Sequence, residues 1–219
     1  MSRDGFHGWP PTAIAFYEGL EADNSKSYWL EHKELYDQDV KAPMLALLAE
    51  MEDEFGEAHL FRPYRDTRFS ADKTPYKTVI AATIGYRYVG LSAEGLRAGA
   101  GIHQMAADQL DRYRAAVAAD RSGRRLDAIA RELRSSGVDV DGVDALKSAP
   151  RGYPKDHPRI EYLRYKGIVT TKSWPVAAWL GTAGARKRVE RLFRTSEPLV
   201  QWLAGHVGPA ARSEAPGAR

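Results

Sequence analysis

The chain has 219 residues, of which 43% are hydrophobic, enough for one large domain or two small ones with an ordinary core. It contains no cysteine, which excludes disulfides, thiolate nucleophiles and cysteine metal sites; no apolar run approaches the ~20 residues that span a bilayer, and the opening MSRDGFHGWPPT has no signal-peptide core, so a cytoplasmic protein without a membrane partner is expected. The net charge of +3 hides a segregation: residues 11–60 carry twelve carboxylates against three lysines, so the rest is strongly basic, a field that suits an anionic partner, although solvated helix faces look the same.

Residues 1–10 read as a flexible extension. Thr12 is placed to cap a helix from about Ala13, with Ile14, Phe16, Tyr17 and Leu20 as its apolar stripe. Asn24 and Ser25 interrupt that helix and offer a cap to a second one carrying Tyr28, Trp29, Leu35 and Tyr36. Pro43 fits a first turn, and Met44, Leu47, Leu48, Met51 and Phe55 mark a third helix that Gly56 ends. The aromatic residues of this block read as core, because packing alone requires their spacing.

The periodicity changes after Gly56. Residues 60–65, 79–84, 87–91 and 95–102 predict strands. Gly85, Gly90, Gly95, Gly99 and Gly101 punctuate them as turns and bulges punctuate an antiparallel meander. Gly99-Ala100-Gly101 lacks the context of a dinucleotide fingerprint. Residues 104–135 return to helix in two stripes, separated at Ser122-Gly123 and closed by Gly137. Residues 138–143 read as strand or loop, and 146–160 as an ordered loop feeding a helix from Pro158 to about Tyr165. A strand is expected at 168–171, a turn or helix from Trp174-Pro175, and a final helix over 183–203 with Pro198 as a kink or break. Helical block, meander, helix pair and mixed tail make the chain α+β. The expected sheet is antiparallel or mixed, flanked by N-terminal, central and C-terminal helices, in a single domain over residues 11–207 with a disordered tail over 208–219.

The densest polar stretch is residues 64–77, with Arg65, Arg68, Lys73 and Lys77 against Asp66 and Asp72. A turn at Ser70-Ala71-Asp72, with Asp72 accepting backbone hydrogen bonds and Pro75 fixing the chain, would present these cations and the Tyr76 hydroxyl from a rigid loop. Guanidinium forks and lysine point charges suit a small oxyanion or a nucleic-acid backbone. The same residues also suit an internal ion network, Asp66 with Arg65 or Arg68 and Asp72 with Lys73 or Lys77.

Several stretches form a recognisable pattern. They are Phe16-Tyr17-Glu18-Gly19-Leu20 followed by Asn24 and Tyr28-Trp29, the run from Asp66 through Arg68, Asp72, Lys73 and Pro75 to Tyr76-Lys77, and Tyr88-Val89-Gly90-Leu91 with Gly99-Ala100-Gly101. Leu146-Lys147 with Pro150-Arg151-Gly152-Tyr153 and Asp156-His157-Pro158 complete a pattern that resembles the DUF2461 family of uncharacterised proteins over roughly residues 6–205. The run at 66–77 is its specific part; Ser25 stands where the family often has a second asparagine. The resemblance implies a single domain and brings no activity with it.

A second basic loop holds Lys147, Arg151, Tyr153, Lys155, Asp156, His157 and Arg159. Gly152 permits close backbone approach, and Asp156 or His157 is placed to cap the next helix. Shared composition leads to the expectation that both loops form one basic cleft. Its anion-binding candidates are Arg65, Arg68, Lys73, Tyr76, Lys77, Lys147, Arg151 and Tyr153. His157, with Asp66 and Asp72, is the candidate acid/base set, although a lone histidine near a helix start is more often a cap. Ser70 lacks a nucleophile elbow, the other histidines lack metal-ligand spacing, and no Walker motif occurs. No cofactor and no metal follow from motifs, and a metal site assembled by the fold alone stays open.

The favoured reading is a protein that binds or acts on a small phosphorylated or carboxylated molecule. One alternative is nucleic-acid binding, with Tyr64, Phe69, Tyr76, Tyr86, Tyr88 and Tyr153 as stacking residues. The acidic block and the small net charge oppose it, and no helix-turn-helix or zinc-finger pattern occurs. The other alternative is a non-catalytic interaction or scaffold domain.

Overall fold

Helix precedes any strand in the computed structural model, which describes residues 5–66, 68 and 72–211. Helix α1 (Pro11–Ala22) opens on Pro11, whose fixed φ suits a first turn. Thr12, expected as the cap, lies inside that turn, and its hydroxyl donates to Asp39. Ser25 caps α2 (Lys26–Glu31) as expected, its Oγ accepting from the Tyr28 N–H at 3.2 Å. From α3 (Lys33–Leu35) the path stays helical through a π-helical segment (Tyr36–Lys41) into α4 (Ala42–Phe55), which has Pro43 in its first turn and stops at Gly56, φ 98°.

Strands β1 (Ala58–Leu60), β2 (Val79–Ile84), β3 (Arg87–Ser92) and β4 (Gly95–Ile102) follow. Then come α5 (Ala107–Ala118), α6 (Asp120–Ser135), β5 (Asp139–Val143), α7 (Ile160–Arg164), β6 (Gly167–Trp174) and, after a 3-10 turn at Ala178–Gly181, α8 (Gly184–His206). The strands lie in the order β1-β2-β3-β4-β6-β5, and β1 with β2, β2 with β3 and β5 with β6 pair antiparallel. The fold is α+β with an antiparallel sheet.

Several elements differ from expectation for physical reasons. The break between α5 and α6 falls at Ala119 because Gly123 serves close packing and not a turn: a Cβ there would lie 2.2 Å from the Val117 carbonyl oxygen and 2.3 Å from Arg159 Nε. Helix α8 runs on through Pro198, because Leu199, Trp202 and Leu203 beyond it are buried and their packing outweighs one missing backbone hydrogen bond. The strand expected over 60–65 ends at Leu60. In the segment expected as an extension, Phe6 and Trp9 are buried, and Trp9 donates its backbone N–H to Leu180 O at 2.8 Å and its indole N–H to Val40 O at 3.2 Å. Of the expected tail, Gly208 O accepts from Gln109 Nε2 at 2.8 Å, and residues 212–219 lie outside the described residues.

The described residues fall into two compact units, those up to 98 with 172–192, and 99–171 with those from 193 onward. The first packs Phe16, Leu20, Met44, Leu47 and Met51 of its helices with Ile80, Ile84 and Leu91 of its strands. The second is built on Tyr113, Val117, Leu126, Ile129, Leu163 and Ile168. Most carboxylates of the acidic block are exposed, as solvated helix faces are. Among the described residues, no helix is long and apolar enough to cross a membrane.

Candidate anion-binding site

The 64–77 run folds back on itself. Arg65 donates its backbone N–H to Pro75 O at 2.9 Å and Lys77 donates to Pro63 O at 2.8 Å, on either side of a bridge between Tyr64 and Tyr76. Asn24 fastens this base: its Nδ2 donates to Tyr76 O at 3.1 Å and its Oδ1 accepts from the Tyr76 N–H at 3.0 Å. One side-chain amide thus plays the part of a neighbouring strand. Tyr76 is 5% exposed, and its ring stacks on Trp29 with centroids 4.4 Å apart and planes 9° apart. It is an anchor of the loop base.

The charged residues above the base pair with each other. Arg65 Nη1 donates to Asp72 and, at 2.6 Å, to Thr74 Oγ1; Asp72 Oδ1 accepts from the Thr74 N–H at 2.9 Å. Arg68 grips Asp66 with two parallel bonds, Nε to Oδ1 at 3.0 Å and Nη2 to Oδ2 at 2.7 Å. The Asp66–Arg68 pair is one the sequence suggests, whereas Asp72 takes Arg65 as partner, not a pair foreseen for it. Lys77 lies over the Phe61 ring, 5.4 Å from its centroid, and burial, followed by nearby Arg62, lowers its pKa. Lys73 is exposed, and the expected turn residues Ser70 and Ala71, with Thr67 and Phe69, lie outside the described residues.

Both aspartates are held at about 2, below their ordinary value of 3.8: Asp66 mainly by the Arg68 side chain, Asp72 mainly by the Thr74 backbone N–H, then its hydroxyl and Arg65. Carboxylates with depressed folded pKa values stabilise the loop above their unfolded pKa and lose that contribution as pH falls through the folded value. The ion pairs are therefore expected to be complete above about pH 4 and lost toward pH 2. Carboxyl NMR titration should give both midpoints near 2; midpoints at the ordinary value would rule the network out.

A cavity of about 350 Å³ opens beside the loop base. One wall is helical: Trp29, Lys33, Asp37 and Lys41 recur every four residues, with Tyr36 between them. Steps of four drift by about 40° around an α-helix. The wider π turn over Tyr36–Lys41 takes up that drift, so all four side chains reach one cavity. The facing wall is residues 60–64, including Phe61, Arg62 and Tyr64.

The polar groups of this cavity are unevenly matched. Lys33 is paired with Asp37. Lys41 and Arg62 make no side-chain hydrogen bond or ion pair among the described residues. Tyr36 is 4% exposed, yet its hydroxyl has no partner among the described residues. Burial, then Asp37 and Tyr64, pushes its pKa up to about 12, so it remains an O–H donor. Two cations and a phenol around an aromatic floor can hold an oxyanion. Sequence reasoning missed Lys33, Tyr36, Lys41 and Arg62; the four-residue spacing from Trp29 to Lys41 was the available signal.

The second basic loop belongs to the other unit. Arg159 is 6% exposed and donates Nε to Val117 O at 2.7 Å and Nη2 to Ala118 O at 3.0 Å, closing the C-terminus of α5. His157 Nδ1 accepts from the Arg159 backbone N–H at 3.1 Å in the turn before α7, which begins at Ile160 and not at Pro158 and has no side-chain cap. Lys147, Arg151, Lys155 and Asp156 are exposed, and Tyr153 is half-buried. Among the described residues, no group of three or more His, Asp or Glu side chains is arranged to hold a metal ion.

Residues 12–202 match the family described as Conserved hypothetical protein (DUF2461). No curated protein and no solved structure matches the chain.

Proposed function

We propose that this chain, which belongs to the DUF2461 family, binds a small phosphorylated or carboxylated molecule in the cavity between Trp29 and Tyr64. The observation that carries this reading is the pair Lys41 and Arg62, two cations on one cavity with no ion pair or side-chain hydrogen bond among the described residues, Asp66 acting on Arg62 only from a distance. Like charges sharing a confined space repel, and an entering anion relieves that repulsion. Tyr36 adds a hydroxyl donor that has no partner among the described residues.

The sequence-derived candidates take supporting places in this reading. Arg65 and Arg68, engaged by Asp72 and Asp66, hold the loop in shape. His157 is assigned to shaping the turn before α7, and no reaction is assigned. The cavity volume of about 350 Å³ suits a metabolite and disfavours a polymer backbone, which needs an open groove.

Thermal shift with phosphate, pyrophosphate, sugar phosphates, nucleotides and small carboxylates is the test. At least one should stabilise the protein. Arg62→Ala and Lys41→Ala should each weaken its binding about tenfold, the worth of one charge-assisted hydrogen bond of roughly 1.5–3 kcal/mol at its lower end, while Arg68→Ala leaves it within about twofold. Absence of any stabilising anion, or unchanged affinity in Arg62→Ala, would sink the reading.

A further inference from the structure

The geometry points to a ligand class more specific than a small anion: a planar aromatic ring carrying the phosphate or carboxylate, with the ring laid against Tyr64. This inference rests on the anion-site reading and deepens it. Its starting point is Tyr64, a large side chain left 49% exposed at the cavity. Tyr64 meets Trp29 at 5.9 Å and 56°, and Tyr76 at 5.6 Å and 47°. Both contacts are tilted, so among the described residues no ring stacks on the face of Tyr64. The neighbouring pair, Trp29 and Tyr76, is by contrast fully stacked. The aromatic series therefore ends in an uncovered ring at the place where a ligand enters.

The charges of the cavity divide its space. Lys33, Lys41 and Arg62 against Asp37 leave an excess of two positive charges, while Phe61 and Tyr64 supply apolar surface, backed by the buried Trp29 and Tyr36. A sugar phosphate or an aliphatic acid would satisfy the cations and leave the aromatic surface wet. A ring-bearing anion satisfies both, because ring faces gain from offset or edge contact with other rings. Asp37 contributes a further preference. Lys33 occupies its Oδ2, and Oδ1 has no donor among the described residues, so a ring N–H or O–H finds an acceptor there. The shared chemistry is thus an aromatic or heteroaromatic ring with one hydrogen-bond donor and one oxyanion.

Calorimetric titration of the full chain separates the parts of this statement. The probes are phenyl phosphate, adenosine and uridine 5′-monophosphates, ribose 5-phosphate, inorganic phosphate, benzoate and acetate. A ring-bearing phosphate should bind at least about tenfold more tightly than ribose 5-phosphate, the scale of one stacking contact; if the anion is a carboxylate, benzoate should exceed acetate by the same factor. Tyr64→Ala should remove this advantage and leave ribose 5-phosphate within about twofold, and Tyr64→Leu, which keeps apolar bulk without a ring face, should do the same. Equal binding of ringed and ringless anions, or an equal loss of both in Tyr64→Ala, overturns the ring while the anion reading stands. Failure of every probe overturns both.

Discussion

Replacing Asn24 with alanine is expected to lower the unfolding free energy by about 2–4 kcal/mol, since two backbone groups of a buried residue lose their partner at once. The amide of Asn24 meets both the N–H and the C=O of Tyr76, and Tyr76 is 5% exposed, so water replaces the amide poorly. The loss reaches beyond the hydrogen bonds. Tyr76 holds the stack on Trp29 and the bridge to Tyr64, so a freed loop base also moves the rim of the cavity. Asn24→Asp should fall between wild type and alanine, because a carboxylate still accepts from the Tyr76 N–H and cannot donate to its carbonyl. Urea denaturation measures both variants. A loss below about 0.5 kcal/mol in Asn24→Ala would show that the loop base stands without Asn24.

Arg159→Met should cost about 2–4 kcal/mol, by removing charged hydrogen bonds and a favourable cation from a helix C-terminus. Methionine keeps the apolar stem volume, so the loss reports on the guanidinium. That group serves the carbonyls of Val117 and Ala118 in the last turn of α5. Asp120 lies 3.7 Å from it and is 79% exposed, so Asp120→Asn should change stability by less than about 0.5 kcal/mol. Denaturation of both variants separates the two contacts. A large effect in Asp120→Asn with a small one in Arg159→Met would reverse the assignment.

Local features were legible in the sequence, and long-range ones were not. Strands β2 and β4 occupy the residues that β-propensity and glycine punctuation predict, and Ser25 and Gly56 mark helix ends by their own chemistry. The Asp66–Arg68 pair follows from a two-residue separation. The Asp72–Arg65 pair does not, because it depends on residues 63–65 pairing with 75–77. Gly123 and Pro198 misled in the same way: each has a local preference for ending a helix, and buried neighbours set it aside. The cavity was hidden for a related reason. Its helical wall has a readable four-residue rhythm, but Arg62 and Tyr64 face that wall only through the sheet and the loop base. The run at 64–77 stood out for its charge, and in the structure much of that charge is turned inward on itself.

The π-helical segment has a consequence for how this chain tolerates changes in length. Each wide turn holds more residues than an α-helix would use for the same path. Deleting one residue between Asp37 and Lys41 would let the segment relax to α-helical form, with the chain beyond it rejoining α4 in good register. Side chains on either side of the deletion would keep their relative directions, because five steps of a wide turn and four of an α-helix turn through nearly the same angle. Trp29, Lys33 and Lys41 would keep their common line. A shortened chain of this kind would preserve both the helix and the helical wall of the cavity, so this segment is where the chain can absorb a change of length.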